Sequence, residues 1–408
     1  MVREMPKRLS CQHMETPCNY IAEADTTEDV IKKIIEHATK VHKAPREIFD
    51  KKEIKDQLLA SIREPPTDTY PKTLNSLEMF INDILHLSHP QDMLRSAGYN
   101  AELLEASTTG SSAANTSNAL LQLYSEIGSS TLNDIADSYV ASTSAITKHV
   151  ALFNKRVIAA FDYTEEDYFG ALDNTLAHDW KGLGPNKKFK FLTCSVFDDS
   201  MMLPVFSIPA QVGNNAIKDI NYINGQLQKN HVIGKVIFSI FGKELYNSEL
   251  FEKLKELNIQ YMILVPSDDK IKEQFNGTEV EGEIRLEKLF CFSDEKNIEL
   301  SSSYTKFLNG VLGSEDDSYL QWCFVKNIED AELNKMIATY SEGWQIWERP
   351  RDREYAYVKS ESQDAKVQYF LFAYNQLLRA YWVMYYMEED VEFEDYLEEL
   401  HKLSSEKK

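Results

Sequence analysis

From residue 156 onward, the apolar residues of this chain change period repeatedly. Alternating runs rich in β-branched and aromatic residues predict strands at Arg156–Tyr163, Phe189–Phe197 and Met202–Ile208. A helical pattern follows at Ala216–Lys229, then a strand at Lys235–Phe241, a helix at Glu249–Leu257 and a strand at Gln260–Val265. Three strands, a helix, a strand, a helix and a strand predict an α/β fold, a mixed sheet with helices flanking it. Few folds accommodate that order.

The rest of the chain divides by composition. Residues 1–64 carry 12 basic and 12 acidic side chains, so the net charge of −21 belongs entirely to the residues after them. Glu64-Pro65-Pro66 closes this first segment, because Pro-Pro disfavours helix on both sides. Residues 67–155 read as helical: Leu77, Phe80, Ile81, Ile84 and Leu85 make one helical face, and the small polar residues 107–117 read as a loop. The polar stretch 268–317 predicts an irregular insertion. A strand at Gln321–Val325, a helix at Ala331–Trp344 and a long aromatic helix at Ala365–Met387 follow. Residues 388–408 begin with an acidic run and predict a solvated tail.

No apolar run approaches the roughly 18 residues that a membrane-spanning helix needs, and no apolar stretch follows the charged start at Met1–Lys7. Five cysteines are too few, and odd in number, for a disulfide framework, which predicts a reducing, cytoplasmic setting without a membrane partner. The net charge argues against strong nucleic-acid binding, since duplex DNA is held mainly by Lys and Arg at its phosphates.

The first segment contains a candidate metal site. Cys11 and Cys18 lie in a Pro- and Asn-containing stretch, and His37 and His42 stand at the end of a helix predicted over Thr27–Val41, with Thr26 or Thr27 as its cap and Glu28 and Asp29 in its first turn. Two thiolates and two imidazoles are a set that zinc prefers; four residues between the histidines suits it, whereas six between the cysteines exceeds the usual spacing. His13 is an alternative ligand. The competing reading is a small module with buried cysteines and exposed histidines. Through Leu9-Ser10-Cys11, Pro17-Cys18, the Thr-Thr-Glu helix start and His37-Ala38 with His42, residues 8–63 resemble the predicted small metal-binding proteins, which implies a small α+β domain.

The order from residue 156 is that of the ribonuclease H-like fold. Ala160-Phe-Asp162-Tyr-Thr164 running to Tyr168-Phe-Gly170, Phe189–Val196 and Leu203–Pro209 carry a resemblance to DDE transposases of the archaeal insertion-sequence type. In that family an Asp on the first strand, an Asp after the fourth and a Glu on a later helix bind two divalent metals. Such hard oxygen ligands suit magnesium, and paired ions activate the attacking hydroxyl and stabilise the leaving oxygen during strand cleavage and transfer. Asp162 matches the first position. Anchoring on Tyr246 and the helix after it puts Gly242 at the second, and counting from Tyr340 puts Gly343, Trp347 and Glu354 where the family has Arg, Glu and Lys. Two of three catalytic carboxylates are therefore missing. Glu244 and Glu348 are the possible substitutes, but one residue along a helix turns a side chain by about 100°.

Two basic clusters remain: Lys181, Lys187, Lys188 and Lys190 beside the second strand, and Arg349, Arg351 and Arg353 after Trp347. They are candidates for phosphate contact; the alternative is a solvated loop with ion pairs, Glu348, Asp352 and Glu354 being the acids nearest the arginines. Residues 129–150 suggest two short helices about a turn, with Lys148 their only Lys or Arg. The expected function is a transposase-derived protein without catalysis that retains DNA binding. The alternatives are an active magnesium-dependent transposase with shifted carboxylates and a protein-interaction scaffold. Expected partners are DNA and, in a homodimer, a second copy of the chain.

Overall fold

The structure, a computed structural model, describes residues 7–10, 20–24, 26–60, 69–87, 89–109, 117–147, 157–168, 176–179, 187–198, 201–212, 216–230, 236–246, 248–256, 259–264, 283–292, 296–308, 319–326, 362–385 and 391–406, with single positions at 62, 232 and 358. The first segment forms a hairpin, β1 (Lys7–Ser10) and β2 (Ile21–Ala24), packed on helix α1 (Thr27–Val41), a short 3-10 turn (Arg46–Asp50) and α2 (Lys52–Ala60). Thr26 caps α1: its hydroxyl accepts from the Asp29 amide at 3.2 Å. Leu9, Ala22, Val30, Ile34, Ala38, Phe49 and Leu58 form its core, separate from the main one.

The helical region comprises α3 (Thr69–Ile84), α4 (Pro90–Thr109), α5 (Asn118–Ile127) and α6 (Leu132–Thr147). Where the sequence suggests two short helices about a turn, α6 is continuous. Its Ser and Thr residues do not break it, because Thr143 and Thr147 hydroxyls donate back to the carbonyls of Tyr139 and Thr143, each at 3.1 Å.

The sheet follows the predicted order. Strands β3 (Val157–Tyr168), β4 (Ala177–Asp179), β5 (Lys187–Asp198) and β6 (Met201–Pro209) lead into α7 (Ala216–Lys229), β7 (Val236–Phe241), α8 (Ser248–Glu256) and β8 (Gln260–Leu264). β5 and β6 are antiparallel, β3 pairs antiparallel with β5 and parallel with β7, and β7 pairs parallel with β8. The order β6-β5-β3-β7-β8 is a mixed sheet consistent with a ribonuclease H-like fold. The span 268–317, expected to be irregular, contains β9 (Glu283–Phe292) and β10 (Lys296–Leu308), which with β11 (Tyr319–Lys326) extend the sheet beyond β8. Charged residues interleave with Ile284, Leu286, Ile298 and Leu300, so overall polarity masks a period of two.

Helix α9 (Ala365–Tyr385) lies between the sheet and the helical region and is buried on nearly every side. Phe372 stacks on Phe191 of β5 at 4.0 Å and Phe370 on Phe80 of α3 at 5.5 Å, so sheet and helices share one core. The acidic end read as a solvated tail instead forms α10 (Phe393–Glu406), which packs on α3 and α4. Phe393, Tyr396, Leu397 and Leu400 recur at helical spacing and are buried, leaving the acids on the outer face. No helix among the described residues is long and apolar enough to cross a membrane.

Candidate functional site

Strand register decides which side chains can meet. Asp162 pairs directly with Thr193 across β3 and β5, and Thr193 with Ser207 across β5 and β6. Side chains alternate faces along a strand, so these three and Thr164 share one face. Hydroxyl contacts agree: Ser207 donates to Thr193 at 2.9 Å, and the Thr164 and Thr193 oxygens are 3.5 Å apart.

Gly242 joins this face from β7. The parallel ladder ends at Phe161 and Phe241, and the Gly242 amide donates to the Phe161 carbonyl at 2.9 Å. The next residues along, Asp162 and Gly242, therefore point the same way. A Cβ placed on Gly242 lies 2.0 Å from Asp162 Oδ1 and 2.3 Å from its Cγ. The half-buried carboxylate thus occupies the space a side chain at 242 needs, its Oδ1 accepting from the Tyr163 amide at 2.8 Å. A side chain at 242 would therefore stand directly against Asp162, and the chain has none there.

The opposite face carries the charges. Glu165 and Lys190 are direct cross-strand partners one residue out of phase with Asp162. Lys190 Nζ lies 2.9 Å from Glu165 Oε1, donates to Glu244 Oε2 at 2.6 Å, and stands 5.8 Å over the Tyr163 ring. Burial acts to lower the Lys190 pKa, and its contacts with Glu244 and Glu165 outweigh that, leaving it raised. Burial, with Asp219, Glu244 and Asp162 nearby, pushes the Tyr163 phenol up to about 12.

This bears on each expected site residue. Glu244, in the turn Lys243–Leu245, is drawn to Lys190 on the face away from Asp162. Lys188 lies 3.6 Å from both Glu165 and Asp167, and Lys187 3.6 Å from Asp179, so Lys187, Lys188 and Lys190 all sit among acids. Glu165 with Lys190 and Asp167 with Lys188 are direct cross-strand partners, a pairing legible in the sequence once the register of the two strands is known. Glu348, Arg349, Arg351 and Arg353, the helix 331–344, Cys11, Cys18 and Lys181 lie outside the described residues.

A pair of divalent ions does not fit around Asp162 among the described residues. Position 242 offers no ligand, Glu244 is on the other face, and the described residues contain no group of three or more His, Cys, Asp or Glu arranged to hold a metal.

The two described residues of the N-terminal candidate do meet. His37 Nε2 and His42 Nε2 are 3.2 Å apart, with ring centroids at 5.0 Å and near-perpendicular planes. The Tyr20 ring stacks on His37 at 3.9 Å, 8° from parallel. Helix α1 ends in a left-handed Lys43 (φ 58°), with the His42 and Ala44 amides both donating to the Ala38 carbonyl, and this termination fixes where His42 leaves the helix.

No protein-family model matches the chain, and no curated protein sequence matches it. Among solved structures, the chain is similar to the piggyBac transposase in a synaptic complex with hairpin DNA, determined by cryo-EM: the two are 9% identical, the match covers 83% of this chain and 78% of that one, and the TM-score is 0.50. That similarity extends to fold.

Proposed function

We propose that this chain is a transposase-derived protein that no longer cleaves DNA. The observation that carries this reading is Gly242 beside Asp162: the fold brings the two positions together, and one has no carboxylate. A single aspartate supplies too few ligands to hold the two ions that activate a nucleophile and stabilise a leaving oxygen. The shared fold with a transposase supports the derivation. Rescue by Glu244 would require it to leave Lys190 and cross to the other face of the sheet.

DNA is the partner this reading implies. Lys187, Lys188 and Lys190 would have to exchange carboxylates for phosphates, so the expected affinity is low and falls steeply with salt. A strand-cleavage assay on duplex DNA with magnesium or manganese tests the proposal. The expected result is no product above a protein-free control; robust cleavage abolished by Asp162→Ala would overturn it. A parallel DNA titration at rising salt measures the binding half, and the absence of any salt-sensitive affinity would favour the protein-interaction scaffold.

A further inference from the structure

We propose that carboxylates of β3 and of the turn Lys243–Leu245 autoinhibit the basic strand β5, competing within the molecule for the two lysines that DNA phosphates would otherwise engage. This rests on the reading of DNA as the partner. Lys188 and Lys190 stand two residues apart on β5, so they share one face at a spacing of about 6.6 Å along the strand, and Lys187 points to the other. Asp167 is the direct cross-strand partner of Lys188, and Glu165 that of Lys190.

The contacts run as a ladder: Asp167, Lys188, Glu165, Lys190 and Glu244. Lys188 lies 3.6 Å from both Asp167 and Glu165, and Lys190 lies 2.9 Å from Glu165 and 2.6 Å from Glu244. Each lysine therefore meets two carboxylates, Glu165 is shared, and three acids against two lysines leave the ladder with a charge of −1. The acids at its two ends are also the more exposed. Asp167 and Glu244 side chains are 51% and 37% exposed against 17% for each lysine, so an approaching polyanion meets carboxylate before ammonium. Strand register holds these competitors in place, which gives them the advantage of an intramolecular partner over a phosphate arriving from solution.

The competing account is a ladder that only stabilises the sheet. Titration of a short labelled DNA duplex with the full chain, at several salt concentrations, separates the two. In the variant Glu165→Gln, Asp167→Asn, Glu244→Gln, affinity should rise at least about tenfold over wild type, and the slope of log affinity against log salt should steepen by about 1.8, the value for two newly engaged phosphates. Adding Lys188→Met and Lys190→Met should abolish the gain. Removing three negative charges from the exposed side of α10, by Glu392→Gln, Glu394→Gln and Glu398→Gln, changes the net charge equally and should leave the slope as in wild type. Should the triple ladder variant unfold, Asp167→Asn with Glu244→Gln leaves one carboxylate between the two lysines and should show a gain in the same direction. A folded ladder variant that binds no more tightly than wild type, or an equal gain in the α10 variant, would overturn the proposal. Magnesium-dependent cleavage by the wild-type chain would overturn the loss of catalysis without altering this comparison of affinities, so the two proposals fail separately.

Discussion

The Asp162 carboxylate fills the space that a side chain at Gly242 would occupy: a Cβ there would lie 2.0 Å from its Oδ1. Two residues 80 positions apart in the sequence are thereby tied to one volume, and each constrains what the other can be.

Gly242→Ala should destabilise the protein by about 1–3 kcal/mol, since Asp162 must turn away to admit the methyl group. In an Asp162→Ala background the same substitution should cost at least about 1 kcal/mol less, because the colliding carboxylate is gone. Urea denaturation of the four members of this cycle measures the coupling. Equal costs in both backgrounds would show that the two side-chain positions do not share a volume.

Lys190→Met leaves Glu165 and Glu244 without their shared cation. Breaking a fully buried pair costs about 3–5 kcal/mol, but the Lys190 and Glu165 side chains are 17% and 16% exposed and Glu244 37%, so solvent lowers this to about 2 kcal/mol. Glu165→Gln combined with Lys190→Met should recover part of the loss. Thermal or urea unfolding of the single and double variants is the check, and an unaffected single variant would remove the clamp from the account of this site.

Alkaline pH should weaken the fold through this cluster. Tyr163 rises from its ordinary 10.0 to about 12, and Lys190 is also raised, so at high pH the folded state binds more protons than the unfolded chain. Their contribution is fully present below the unfolded pKa values and is lost as pH climbs from about 10 through 12. Stability measured across that range should fall in the wild type and fall less in Tyr163→Phe and Lys190→Met. Identical slopes in all three proteins would place the sensitive groups elsewhere.

Much of this was legible from residue order. Periodicity located the strands and helices of the central sheet, and counting from Tyr246 singled out Gly242, which the fold sets against Asp162. The spacing of His37 and His42 singled them out before their rings were seen to meet. Other features were not legible for identifiable reasons. Charged residues interleaved with Ile284, Leu286, Ile298 and Leu300 concealed two strands. The acids of residues 392–399 concealed an amphipathic helix whose buried apolar side chains are Phe393, Tyr396, Leu397 and Leu400.

The sequence by itself determined the order of elements in the central sheet and the glycine at 242, because hydrophobic period and residue identity are local properties of the chain. Only the tertiary structure decided the fate of Glu244. It lies two residues from Gly242, and register puts its partner Lys190, with Glu165, on one face of β5 and β3 and Asp162 on the other. Register depends on pairing between residues distant in the chain, and a shift of one residue would exchange the faces.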